Sequence, residues 1–327
     1  MNILKASAQV VREYMGNEHM PSEFLAKRFS IGICASNDAP NLPGLLESIS
    51  NENIPKDLFL SRIILVASAC SKKTMNLLKA SRLNERLSIV EENVRHGKAD
   101  AINKIFNQSE GEFLVFINAD ALPKRGSITR LLSSIDADES VGIASAMPFL
   151  ESSKGIASKI EEFMWSVHNE SSLLLNHMGI SNHTSDEMMV VRSSLLRRLP
   201  EGLVNDGAFM AAIAKKEKYS IRFCEDAEVK IEAPARIVDS IRQRQRIIFG
   251  HLQVWRLIGK SPLTVESMFL FAPSLSLKIL VRVLAKSPRV LALLPVAVVG
   301  ELMALIMALT DFTKSSDKHR IWRRYEN

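Results

Sequence analysis

Residues 113–123 read FLVFINADALP, an apolar run followed by a short polar loop. Phe113–Ile117 are all apolar, which is typical of a strand buried on both faces of a parallel sheet. Asn118 and Asp120 follow directly, in a loop. An acid at the end of such a strand can hold a divalent cation, because Mg²⁺ favours one or two carboxylates completed by substrate phosphates. Asn and Asp are also common turn residues, so a simple turn remains an alternative for this loop.

Short apolar runs alternate with helical periods before this strand. Strands are predicted at FSIGICAS, SRIILVAS and LSIVEE, and helices at NLPGLLESI, KKTMNLLKASR and KADAINKIFNQ. This alternation predicts an α/β fold, with a mostly parallel mixed sheet and helices on both faces. Ligands of such sheets bind at the carboxyl ends of the strands. The polar residues expected there are Ser36, Asn37, Asp38, Ser68, Asn118 and Asp120.

The pattern is less regular after Asp120. A strand is predicted at VGIASAMPF, a long helix over 156–177, and a strand running into a helix at MMVVRSSLLRRLP. DGAFMAAIAKKEKY predicts an amphipathic helix, SIRFCEDAEVKIEA a pair of strands, and residues 234–259 a long basic helix. Residues 1–27 predict an amphipathic helix followed by a polar link.

Composition excludes several classes of protein. The 327 residues are 46% hydrophobic and 24% charged, which is a globular balance and excludes disordered and fibrous chains. Cys34, Cys70 and Cys224 are widely spaced and odd in number, so they predict neither a disulfide framework nor a zinc knuckle, and a reducing compartment is expected. The first residues lack the apolar core of a secretory signal.

The positive charge is concentrated in two stretches near the carboxyl terminus. The chain has a net charge of +6, while residues 234–260 alone carry +5 and residues 313–327 carry +3. Between them, VLALLPVAVVGELMALIMALT (290–310) is long enough to enter a bilayer, and residues 265–286 combine apolar and basic residues as interfacial helices do. We therefore expect an in-plane helix followed by a membrane-inserted helix or re-entrant hairpin. A buried helix of a soluble domain is the alternative.

Three further motifs carry chemistry. In HGKADAINKI, Lys98 opens a helix after a strand, which suits a phosphate. In NDGAFM, Asp206 stands at a helix start and is either a helix cap or a carboxylate general base. QRQRIIFG places Gln243, Arg244 and Arg246 on the basic helix, where arginines bind phosphate or form a solvated or lipid-facing surface.

Taken in order, these motifs resemble a known family, the membrane-associated inverting glycosyltransferases of family two, which have the GT-A fold. CASNDAPNLPGLLESI resembles the family's opening PTYNExxNLxxLLxSL, HGKADAIN its GKAxALN helix, and FLVFINADALP its DxD loop. LVNDGAFMAAIAKKEKYSI resembles its TEDxxLxxRLxxxGY segment and QRQRIIFG its QxxRW segment. The resemblance covers 29–250 and extends to cellulose-synthase-like and hyaluronan-synthase-like enzymes.

The resemblance implies roles residue by residue. Asp120 matches the second acid of the DxD loop and would hold Mg²⁺ or Mn²⁺ against the donor diphosphate, while Asn118 matches the first acid, near the nucleotide. Asp206 matches the general base on the acceptor hydroxyl. Residues assigned to the nucleotide-sugar donor are Ser36, Asn37, Asp38, Ser68, Lys98 and Asn118, and those near the acceptor and diphosphate are Gln243, Arg244 and Arg246.

The sequence also departs from the family pattern. Asn118 replaces an acid, Ala67 and Ser68 replace acids at the second strand end, and Ile247 replaces the Trp of QxxRW. These changes motivate an alternative function, that of a catalytically impaired homologue that binds a sugar nucleotide. A membrane-peripheral interaction protein is a further alternative.

The expected organisation has three parts: an N-terminal amphipathic helix and link (1–28), a GT-A domain (29–260) and a membrane-associated helical region (261–327). The expected partners are a nucleotide-sugar donor, a lipid-linked or saccharide acceptor and membrane lipids, with no nucleic acid. The catalytic domain is expected at the cytoplasmic face. A shared membrane helix would permit a homo-oligomer.

Overall fold

The computed structural model describes residues 26–37, 39–80, 85–151, 155–260, 263–264, 267–268, 271–314 and 319–321. The predicted N-terminal amphipathic helix and Asp38 lie outside the described residues.

The described chain forms eight strands and nine α-helices, which alternate through its first half. The strands are β1 (Lys27–Ser36), β2 (Leu58–Ser68), β3 (Leu87–Glu92), β4 (Phe113–Asn118), β5 (Leu122–Pro123), β6 (Val141–Leu150), β7 (Met188–Arg192) and β8 (Ser220–Ile231). The helices are α1 (Leu42–Ser50), α2 (Lys72–Lys79), α3 (Lys98–Gln108), α4 (Ser127–Asp136), α5 (Ile156–His177), α6 (Asp206–Lys216), α7 (Ile237–Ile258), α8 (Pro273–Lys286) and α9 (Leu294–Thr313), with a 3₁₀ helix at Pro288–Leu293 between the last two.

The eight strands form one mixed sheet in the order β3-β2-β1-β4-β7-β6-β8-β5. Strands β1 to β4 pair in parallel, as do β6 and β8, whereas β7 runs antiparallel between β4 and β6. Ser36 lies opposite Ser68, and Cys34 opposite Asn118. The carboxyl ends of β1, β2 and β4 therefore meet at one edge. Because β7 is antiparallel, its first residue, Met188, reaches the same edge beside Ile117.

Apolar side chains fill a core on each face of the sheet, which confirms the predicted α/β fold. On one face, Leu45 of α1, Leu78 of α2 and Leu131 of α4 are fully buried against the strands. On the other face, Ile105 of α3 and Met210 of α6 are fully buried. Burial of both faces explains why strands such as β4 are continuous apolar runs.

Two predicted elements differ from the structure. The helix expected after β7 does not form, because Ser193 N–H bonds to Glu112 O (2.8 Å) and Leu195 N–H turns back to Arg192 O (2.9 Å). The expected strand pair at 220–233 is the single strand β8, which pairs with β6 along its whole length with two register shifts.

The C-terminal helices pack on the outside of this α/β unit. Helix α8 lies on α5, and α9 lies on α7. Within the described part of the chain, the segment Leu291–Thr313, which includes α9, is the one helical segment long and apolar enough to cross a membrane. The most apolar part of this segment is only 17% buried, so the rest of the described chain leaves most of α9 exposed.

Candidate functional site

A lysine at the start of α3 forms the centre of the site. Gly97, in a left-handed conformation (φ +108°), turns the chain from β3 into the helix that Lys98 begins. Lys98 Nζ lies 3.1 Å from Asp206 Oδ2 and 3.5 Å from Asp186 Oδ2. Burial works to lower the pKa of Lys98, but the charges of Asp206 and Asp186 outweigh it and raise that pKa. Lys98 is therefore a permanent cation between two carboxylates.

Asp206 is held at the first turn of α6, but it is not the helix cap. Asn205 is the cap, and its side chain accepts a hydrogen bond from Ala208 N–H (2.9 Å). The Asp206 carboxylate is therefore available for another role, although the residue is only 4% exposed. Burial raises the pKa of Asp206, and the charge of Lys98 opposes that rise.

Asp186 reaches the same lysine from the loop before β7. The Asp186 side chain lies close to the first turn of α6, because a Cβ added at Gly207 would lie 2.8 Å from the Asp186 Cβ. Burial works to raise the pKa of Asp186, but the charge of Lys98 outweighs it, so the pKa of Asp186 is lowered. Asp186 and Asp206 thus share one cation and differ in proton affinity.

The loop after β4 is tied to β7 by its asparagine. Asn118 N–H bonds to Glu187 O (3.0 Å), and Asn118 Nδ2 donates to Glu187 Oε2 (2.8 Å). Burial raises the pKa of Glu187 to about 8, with further contributions from the charges of Asp186 and Asp120. Asn118 therefore stands between the exposed Asp120 and a second carboxyl group.

A tight turn presents Asp120 to solvent at this edge. Ala121 N–H bonds back to Asn118 O (3.0 Å), and Asn41 Nδ2 donates to Asp120 O (3.2 Å). Among the residues that the structure describes, no three His, Cys, Asp or Glu side chains converge as a preformed metal cage. A divalent cation held by Asp120 would therefore need ligand oxygens from a bound phosphate, as Mg²⁺ commonly does.

A cavity of about 150 Å³ lies beside the carboxylates, between α5, α7 and the loop before β7. Gln243, Arg244 and Arg246 line it together with Asp186 and Asn205. Arg246 donates to Val204 O (3.3 Å) and to His319 O (3.4 Å), which fixes its guanidinium beside the start of α6.

Arg244 contacts the C-terminal region as well as the cavity. Its Nε donates to Glu301 Oε1 (2.5 Å) and its Nη2 to Glu301 Oε2 (3.1 Å), a two-point pair between α7 and α9. Much of the guanidinium is therefore used within the protein rather than presented to a ligand.

The residues at the ends of β1 and β2 lie together, as predicted, but they differ in accessibility. Ser36 is partly exposed, and Asn37 is exposed in a left-handed conformation (φ +56°). Ser68 is buried and its hydroxyl donates to Glu92, which also pairs with Lys104. The Ser68 side chain is therefore bonded within the protein at this edge of the sheet, at a position where the family pattern has an acid.

The sequence analysis missed Asp186, Glu187 and the contacts of the C-terminal segment. The signal for the first two was the acidic SDE immediately before the apolar strand MMVV. It was misleading because residues at the amino end of a parallel strand lie at the opposite edge, and only the antiparallel direction of β7 brings them to the site. The approach of Arg320 Nε to His96 O (3.1 Å) spans 224 residues and left no local signal.

Comparison with known proteins agrees with this geometry. The chain is 23% identical over 266 residues to the glycosyltransferase AglE of Haloferax volcanii, covering 80% of this chain and 83% of AglE. Its fold matches the mannosyltransferase PcManGT of Pyrobaculum calidifontis, solved with GDP-Man and Mn²⁺, with a TM-score of 0.61, 20% identity and 95% of each chain covered. This likeness shows the GT-A fold.

A family model agrees with the same assignment over most of the chain. The model described as "Glycosyltransferase like family 2" matches residues 26–250, which contain every described strand and the basic helix α7 up to Gly250. The chain therefore belongs to the family 2 glycosyltransferases.

Proposed function

We propose that this glycosyltransferase moves a sugar from a nucleotide-diphosphate sugar to an acceptor, with inversion and with a divalent metal. The observation that carries the proposal is the position of Lys98 between Asp206 and Asp186. These three residues lie at the sheet edge where β4 ends and the Asn118–Asp120 loop begins. A cation, two carboxylates and an exposed acid thus meet at the carboxyl ends of parallel strands, where nucleotides bind in such folds.

The residues present fit a divalent metal. Asp120 is exposed. Burial raises the pKa of the neighbouring Glu187, and the charges of Asp186 and Asp120 raise it further, so a cation at this point would relieve repulsion. Asp120 would hold Mg²⁺ or Mn²⁺, with the remaining ligands coming from the donor diphosphate. When bound, such a metal neutralises charge that develops on the leaving diphosphate.

The protein groups would divide the remaining work. Asp206 would accept the proton of the acceptor hydroxyl, for which a carboxylate with a raised pKa is better suited than an ordinary one. The charge of Lys98 favours the ionised form of Asp206, and the lysine would attract the donor phosphates. Arg246 and Gln243, on the cavity wall, would position the diphosphate and the acceptor. An acceptor that is already anionic, such as a lipid phosphate, would need no base.

We further propose that residues 29–260 form the catalytic domain and that residues 261–327 hold it at the cytoplasmic face of a membrane. Support comes from the exposed apolar surface of α9 and from the basic residues on both sides of it. This position would bring a lipid-linked acceptor within reach of the site.

A thermal-shift panel on the full chain in mild detergent tests the donor site. GDP, UDP, CDP and dTDP are each added with Mn²⁺ or with EDTA, because a ligand that binds the native state raises Tm by mass action. GDP with Mn²⁺ comes first, since PcManGT was solved with GDP-Man and Mn²⁺. A metal-dependent shift with one nucleotide is expected, and no shift with any would contradict the proposal. The anomeric configuration of the product, read by NMR, then tests inversion.

One observation favours the alternative of an impaired, sugar-nucleotide-binding homologue. Ser68 and Asn118 stand where the family has acids, and both side chains are engaged with glutamates of the protein. Metal-dependent turnover of the donor by the purified protein excludes this alternative.

A further inference from the structure

Helix α9 exposes apolar side chains along its whole length, except on one stripe. Val299, Leu302 and Ile306 are exposed, Ile306 by 63%. The buried stripe consists of small and polar residues, namely Ala297, Ala304, Ala308 and Asp311. A contiguous apolar surface of this length marks a contact with a membrane or a partner.

The buried stripe holds α9 lengthwise against α7. In the first half of α9, Glu301 forms the two-point pair with Arg244. Near its end, Gln245 Nε2 donates to Asp311 Oδ2 (2.5 Å). Ala304 and Ala308 pack between these polar contacts, in a cluster with Ile248 and Phe249 of α7. Helix α9 therefore runs beside a helix of the catalytic domain rather than projecting away from it.

Both ends of α9 also contact the catalytic domain. At the amino end, Ala297 packs in the same cluster as Val283 of α8 and Phe163 of α5, and Lys286 of α8 pairs with Glu170 of α5. At the carboxyl end, His319 Nε2 lies 2.7 Å from Asp311, and its carbonyl accepts from Arg246. Arg320 Nε then donates to the carbonyl of His96, two residues before Lys98.

From these contacts we propose that α9 lies in the plane of one membrane leaflet and does not cross the bilayer. A helix of 20 residues is about 30 Å long, which equals the thickness of the hydrocarbon core, so crossing would place its two ends on opposite sides. Both ends here touch one polar domain. The inference rests on the proposed membrane association and adds its geometry.

The occupant that fits this surface is a bilayer with anionic headgroups. Helix α8 exposes Leu277 and Val281 next to Lys278 and Arg282. Apolar side chains flanked by basic ones are typical of helices that lie in the headgroup region of anionic membranes.

Sided labelling of two cysteine variants tests the topology. Ser287→Cys and Lys314→Cys, at exposed positions on either side of α9, are made in a full-length chain in which Cys34, Cys70 and Cys224 are replaced by alanine. In intact cells we expect neither cysteine to react with a membrane-impermeant maleimide, and in lysed cells we expect both to react. Reaction of exactly one of them in intact cells would show that α9 crosses, and would overturn the inference while leaving membrane association in place.

Flotation with preformed vesicles tests the association itself. The full chain, added from outside, should float with vesicles containing an anionic phospholipid and bind neutral phosphatidylcholine vesicles more weakly. Lys278→Gln with Arg282→Gln should weaken anionic binding by roughly thirtyfold, at the strength typical of two basic side chains near such a surface. The matched control is Lys215→Gln with Lys216→Gln on α6, which should bind unchanged. Failure to float with either kind of vesicle would overturn both the membrane association and the in-plane helix.

Discussion

The two acidic regions of the site hold their charge in opposite ways. Asp206 is almost fully buried, and its carboxylate lies 3.1 Å from Lys98 of the same protein. Asp120 is exposed on a turn, and its charge acts on a second carboxyl group, that of Glu187. The protein therefore supplies a cation to the buried Asp206 itself, since a buried charge without a partner is strongly unfavourable. We propose that the other region, at Asp120, takes its cation from solution. The variants below test this difference, in order of decreasing expected effect.

Removing the buried acid should have the largest effect on catalysis. Asp206→Asn keeps the size of the side chain and the cap at Asn205 but removes the proton acceptor, so we expect kcat to fall about a thousandfold. Nucleotide affinity, measured by the metal-dependent thermal shift, should stay nearly unchanged. Asp226→Asn, an acid on β8 whose side chain is 69% exposed, is the matched control and should behave as wild type. A mild effect of Asp206→Asn would identify an acceptor that is already anionic.

Removing the cation of the buried region should mainly cost stability. Lys98→Gln leaves Asp206 and Asp186 without their shared partner, so we expect the free energy of unfolding to fall by about 3 kcal/mol in denaturant titrations. The control is Lys124→Gln, because the Lys124–Glu228 pair is exposed and such pairs contribute about 0–1 kcal/mol. Equal losses for the two variants would contradict the view that Lys98 balances the charge of the buried Asp206 carboxylate.

Removing the exposed acid should cost metal binding but little stability. Asp120→Asn is expected to abolish the Mn²⁺-dependent part of the nucleotide thermal shift and to lower turnover about a hundredfold. Because Asp120 is exposed, Tm without ligand should change little. Asp226→Asn again serves as the control. A retained Mn²⁺ dependence in Asp120→Asn would place the metal elsewhere.

The two regions also differ in how far the sequence could predict them. Strands β1, β2 and β4 were predicted because burial on both faces makes them apolar runs, and the edge strand β3 was predicted from the alternation of strands and helices. Lys98, Asp120 and Asp206 stand at predicted strand or helix ends. The partners of these residues could not be predicted in the same way. Asp186 and Glu187 reach the site only through the antiparallel direction of β7, and Arg244 meets Glu301 across 57 residues, so neither contact leaves a local periodicity.

The last prediction concerns the pH dependence of stability near the Asn118–Asp120 loop. The pKa of Glu187 is raised to about 8 in the folded protein, above the value of 4.5 usual for glutamate, so the native state binds more protons than the unfolded state between these values. In the presence of EDTA, this residue's contribution to stability is therefore complete below pH 4.5 and is lost as pH rises towards 8. Glu187→Gln imitates the protonated form and should make Tm decline less over pH 5 to 8 than in wild type. Mn²⁺ with nucleotide should have the same flattening effect in wild type, because a nearby cation favours the ionised carboxylate and lowers its pKa. If Glu187→Gln declines as steeply as wild type, the carboxyl group behind Asn118 is already ionised, and both acidic regions would then carry their charge before any metal binds.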